Sequence, residues 1–120
     1  MQETYIEEIL KELTLEEKIG MIPGAGLFRT EGVERLSIPP LYMSDGPMGV
    51  RAEFADNEWR NVGTTEDYVT YLPCNSAIAS TWNRALAKKA GEVLGEEARG
   101  RGKDVILAPG INIKRSPLCG

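Results

Sequence analysis

The sequence predicts an α/β domain with parallel strands, on three observations. Leu41-Tyr42-Met43 is a short apolar run, set off by Pro39-Pro40 before it and broken by Asp45-Gly46-Pro47 after it, so it reads as a buried strand. Val105-Ile106-Leu107-Ala108 is a second such run, and it too empties into a Pro/Gly loop. Between the two, beyond Asn83, apolar residues recur at the spacing of one helix face. Two strands with a helix between them imply a crossover and a parallel sheet. In such sheets, ligands gather at the carboxyl ends of the strands.

Residues 3–13 form the first element, a helix whose Ile6, Ile9, Leu10 and Leu13 share a face, with Glu7 and Lys11 paired on the polar side. Thr14-Leu15-Glu16-Glu17 is a capping box opening a second short helix. Its Leu15, Ile19 and Ile22 are expected to face inward, and Pro23 stops it. Both helices read as packing elements. Residues 24–32 are Gly-rich but follow a helix and match neither the dinucleotide nor the P-loop pattern, so they read as a plain connection.

The stretch around the first strand organises the chain. Asp45 stands where that strand emerges, and Arg51 returns a fixed positive charge shortly after it. On these residues alone, Asp45 reads first as a residue that folds its own turn. Residues 52–70 are polar and aperiodic, with Phe54, Trp59 and Tyr68 among several carboxylates. Long loops of this kind often carry function. Aromatic faces there would suit a pyranose ring, but each aromatic singly is better read as pinning the loop. Nothing fixes the separation of the carboxylates, and no catalytic pair is assigned.

Residues 71–80 mix small and apolar side chains around an expected short strand. Asn83 then caps the main helix, whose inner face is Leu86, Ala90, Val93, Leu94 and Ala98. Gly91 and Gly95 lower helicity and suggest a close packing contact. Residues 99–103 close the helix with positive charge and two glycines.

The bulk properties exclude several classes. The formal charge is −4 with both signs interspersed, which argues against nucleic-acid and acidic-membrane partners. No stretch approaches the roughly 20 apolar residues of a membrane span. The first residues lack the basic start and apolar core of a signal peptide, so the chain reads as cytoplasmic. Cys74 and Cys119 form no Cys-x-x-Cys motif and read as reduced thiols. The absence of His removes a Ser-His-Asp site and a His-based zinc site within these residues.

Three stretches together carry a family resemblance: Ser44-Asp45-Gly46-Pro47-Met48-Gly49-Val50-Arg51, Ala79-Ser80-Thr81-Trp82, and residues 105–120 with their Pro-Gly-Ile-Asn-Ile loop. They resemble the amino-terminal barrel domain of glycoside hydrolase family 3, the β-glucosidase family, from about Leu13 onward. The resemblance implies the amino-terminal portion of a (β/α)8 TIM-type barrel. Residues 1–22 are then a helical lead-in, and residues 23–120 the first barrel strands and helices. A complete barrel needs about 250 residues, so the 120 present are expected to be a truncated piece ending within a functional loop.

The resemblance also implies chemistry. Retaining glycosidases use one carboxylate as nucleophile and another as acid/base. In this family the nucleophilic Asp follows a later barrel strand and the acid/base Glu lies later still, typically in a second domain. Neither falls within this chain, so no catalytic residue is assigned. Asp45 matches the family's substrate-binding Asp, which accepts hydrogen bonds from hydroxyls of the terminal non-reducing sugar in subsite −1. Arg51 matches the Arg beside it, able to hold the Asp45 carboxylate or to donate to a sugar hydroxyl. A further pocket Arg is expected just past Gly120. Arg115 matches a different loop position and reads as structural.

The implied partner is a β-glucoside or related oligosaccharide, with the rest of the barrel and a second domain expected in the full-length chain. No metal or organic cofactor is implied. The alternative from another class is a stand-alone, non-catalytic α/β module that binds carbohydrate or protein. A cooperative, monomeric unfolding transition would favour that module. A truncated barrel would instead aggregate or stay loose, because it leaves a strand edge unpaired.

Overall fold

The computed structural model describes residues 2–51, 55, 58, 69–111, 115, 116 and 118. In chain order these form α1 (Gln2–Glu12), α2 (Leu15–Gly20), a 3-10 turn (Glu34–Leu36), β1 (Met43–Asp45), α3 (Asn75–Ser80), α4 (Arg84–Gly100) and β2 (Val105–Leu107). The capping box at α2 forms as expected. Thr14 Oγ1 accepts the Glu17 amide at 3.1 Å, and Glu17 Oε2 accepts the Thr14 amide at 2.9 Å.

Glu17 does a second job. Both of its oxygens take hydrogen bonds from the Arg35 guanidinium, Nε at 3.1 Å and Nη2 at 2.7 Å, while Nη2 also reaches the Glu12 carbonyl at 3.1 Å. One arginine thus ties the end of α1, the start of α2 and the 3-10 turn together. Its guanidinium and the Thr14 amide hold the Glu17 carboxyl down at about 2. Apolar packing contributes less here than the sequence suggests. Leu13 is buried, but Leu15, Ile19 and Ile22 are exposed, Ile22 to 82%. The inward face expected of α2 is therefore corrected: among the described residues, these three side chains stay more than half exposed.

β1 and β2 pair in parallel, with Met43 opposite Val105, Ser44 opposite Ile106 and Asp45 opposite Leu107. Asp104 clips the strand starts together. Its Oδ2 accepts the Tyr42 amide at 3.0 Å, its own amide donates to the Tyr42 carbonyl at 2.8 Å, and its Oδ1 takes Arg99 from the end of α4 at 3.2 Å. On the other edge of β1, the chain around Arg29 runs antiparallel to that around Tyr42. The first strand therefore begins later than the apolar run indicated. Leu41 and Tyr42 are exposed, and the fully buried position is the small, polar Ser44.

Residues 71–80 contain helix α3 rather than the expected strand. Pro73 and an extended Cys74 set its start, and side-chain bonds from Ser80 and Thr81 back to the Ser76 and Ile78 carbonyls tighten its end. α4 is capped by Asn83, whose Oδ1 accepts the Leu86 amide at 3.0 Å. It ends in a Schellman motif: Lys103 N–H to the Ala98 carbonyl, Gly102 N–H to that of Arg99, and Gly102 at φ +69°.

The core is Val50, Leu72, Leu94 and Ala98, with Val93, Ile106 and Ala108 against it. Leu86, expected on the inner face, is 49% exposed. No close contact explains Gly91 or Gly95, because a Cβ at either would meet nothing within 4 Å. Both line an open apolar groove of about 500 Å³ between α4 and the end of β2. Among the described residues, no helix is long and apolar enough to cross a membrane.

The core assignment has a direct check. Leu94→Ala should lower stability to urea by about 2–5 kcal/mol, and Leu86→Ala by under about 1 kcal/mol. Equal losses would place the core elsewhere. Glu17 binds its proton less readily folded than unfolded, so its contribution is present above its ordinary 4.5 and lost as pH falls toward about 2. Stability followed down that window should fall more steeply for the unaltered chain than for Glu17→Gln.

Candidate functional site

The loop after β1 is built by exclusion of side chains. Gly46 has φ +136°, and a Cβ there would sit 1.7 Å from the Gly49 carbonyl oxygen. Gly49 has φ +140°, and a Cβ there would sit 2.6 Å from the Thr70 carbonyl oxygen. Only glycine satisfies both conditions at either place. The loop then closes on itself: the Arg51 amide donates to the Asp45 carbonyl at 3.2 Å, and Ser44 Oγ donates to the same oxygen at 3.0 Å. Val50, 1% exposed, anchors the closure in the core. The structure thus brings Asp45 and Arg51 onto one backbone rung at the carboxyl end of β1, with Asp45 exposed.

Phe28 orients Arg51. The guanidinium carbon lies 3.6 Å from the centre of the Phe28 ring, a cation–π contact that also fixes the plane of the fork. The ring is placed by backbone bonds, since the Met43 amide donates to the Phe28 carbonyl at 2.8 Å and Thr30 exchanges bonds with Leu41. The Gly-rich stretch is therefore more than a connection.

A second support comes from α4. Both oxygens of Glu97 accept the Thr70 amide, at 3.2 and 3.0 Å, and one also accepts the Thr70 hydroxyl at 2.5 Å. These bonds from Thr70 lower the Glu97 carboxyl below its ordinary range, with Arg101 helping. Next in the chain, the Leu72 amide donates to the Met48 carbonyl at 2.8 Å.

Phe28, Thr70 and Glu97 were not singled out by the sequence. Of the other residues that were, Arg115 is exposed, while Phe54, Trp59, Tyr68 and Cys119 lie outside the described residues. Among the described residues, no cluster of three His, Cys, Asp or Glu is placed to hold a metal.

Residues 15–120 match the model of the glycosyl hydrolase family 3 N terminal domain. The chain belongs to this family. It is 48% identical to beta-glucosidase BoGH3A of Bacteroides ovatus over 98% of its own length, and 42% identical to thermostable beta-glucosidase B of Acetivibrio thermocellus over 96%. It spans only 16% and 15% of those two proteins. Among solved structures, beta-glucosidase 3B from Thermotoga neapolitana in complex with glucose superposes with a TM-score of 0.79 at 38% identity. That match covers 96% of this chain and 18% of the other. The beta-glucosidase from Kluyveromyces marxianus in complex with glucose gives a TM-score of 0.78 at 33% identity, covering 93% and 12%.

The loop geometry predicts a contrast between glycines. Gly46→Ala should cost at least about 2 kcal/mol, because its Cβ meets backbone. Gly20→Ala, with nothing near its Cβ, should be neutral or stabilising by up to about 1 kcal/mol. Denaturation curves of the two variants decide it, and a tolerated Gly46→Ala would disprove the loop closure.

Proposed function

We propose that this chain supplies part of the terminal-sugar pocket of an exo-acting retaining glycosidase of β-glucosidase type, forming the first portion of its (β/α)8 barrel. The reading is carried by one observation. An exposed residue, Asp45, ends a parallel strand and is joined by a backbone bond to an arginine stacked over Phe28. The beta-glucosidase names of the relatives support the substrate class.

An ionised carboxylate has no donor, so it selects neighbours that donate, and adjacent hydroxyls of a pyranose can give it two bonds at once. Arg51, which only donates, suits the acceptor oxygens of the same ring. Holding a terminal sugar this way suits exo action. Nucleophile and acid/base are assigned to other parts of the full-length enzyme, as the family resemblance implies.

The test uses an aryl β-glucoside and the full chain encoded by the gene. Asp45→Ala should lower kcat/KM by about 10²–10⁴-fold, the worth of two charge-assisted hydrogen bonds. The 120 residues alone should hydrolyse nothing. Hydrolysis by those residues, abolished in Asp45→Ala, would make Asp45 catalytic and contradict the proposal.

A further inference from the structure

We propose that Glu97 is a positioning residue that holds the loop carrying Asp45 and Arg51 in its binding form, acting through Thr70. The inference rests on the sugar-pocket reading above and extends it to helix α4.

Glu97 sits in the last turns of α4, where the helix dipole disfavours a negative charge. Its carboxylate is nonetheless kept and committed with both oxygens to one residue, Thr70. Thr70 is exposed and lies outside the core, so the three bonds bury little and contribute little to packing. They do fix the Thr70 carbonyl, and that carbonyl lies directly over the Gly49 α-carbon. Two residues on, the Leu72 amide holds the Met48 carbonyl. The loop of residues 46–50 is thereby approached by a segment, residues 70–72, held by Glu97 at Thr70 and by the core at Leu72. The loop is also closed by the bond between Arg51 and Asp45. Without the tether, Thr70 can retreat from Gly49 and the separation of the Asp45 and Arg51 side chains is no longer defined. The bonds from Thr70 hold the Glu97 carboxyl below its ordinary range, which favours the ionised acceptor.

The experiment is hydrogen exchange by mass spectrometry on the full encoded chain, together with kinetics on an aryl β-glucoside. Glu97→Ala should speed exchange in residues 46–51 by about tenfold or more and leave α4 before Glu97 unchanged. It should lower kcat/KM by about 10–100-fold, and Glu97→Gln, which keeps one acceptor, should recover part of the loss. In an Asp45→Ala background, Glu97→Ala should add almost nothing, because both act on one contact. Should Glu97→Ala fail to fold, Thr70→Val removes only the hydroxyl donor and should move the same readouts in the same direction. Unchanged exchange in residues 46–51 with a crippled Asp45→Ala overturns the tether alone. So does a double variant whose loss is the product of the two single losses. Unchanged kcat/KM in Asp45→Ala overturns the pocket reading beneath it.

Discussion

The bond from the Arg51 amide to the Asp45 carbonyl is the contact on which the site depends. It turns a strand end into a closed loop and joins the backbones of Asp45 and Arg51. The bond is possible only because Gly46 and Gly49 let the backbone pass where any Cβ would strike it. Val50 then drops into the core and makes the closure part of folding rather than a surface accident. Phe28 stacks on Arg51, and Thr70, held by Glu97, lies against Gly49.

The rest of the molecule divides between what is held by polar bonds and what is left uncovered. Asp104 and Arg35 each gather three pieces of chain through backbone carbonyls, amides and one charged partner. The buried apolar set is small by comparison. Large apolar side chains on α1, α2 and β2 stay exposed, among them Ile6, Ile19 and Leu107. Exposed apolar faces of this extent are characteristic of surfaces that pack against further structure. The short parallel pair has the same character, since parallel strands are normally covered on both faces.

Much of this was legible in residue order. The capping box at Thr14, the Asn83 cap and the glycine-terminated end of α4 are local signals, each determined within a few residues, and all three form. The parallel relation of the two strands followed from the helix between them. The turn that links Asp45 to Arg51 was readable because glycine and proline mark it. The first strand was placed too early because its buried position is a serine, which hydropathy passes over. Residues 71–80 looked like a strand wall, yet Pro73 and the run of small residues after Cys74 favour a short helix. Phe28 and Thr70 act across long separations in sequence, and no local pattern reports that. Glu97 did leave a trace, as an acidic residue near a helix end where a basic one is preferred.

The most direct measurement is a crystal structure of the full encoded chain with glucose bound. The account predicts both Asp45 carboxylate oxygens within about 3 Å of glucose hydroxyls, with Arg51 still over Phe28 and its fork turned to the same ring. Glucose bound elsewhere, with Asp45 facing only its own turn, would contradict the assignment of this loop as the sugar pocket.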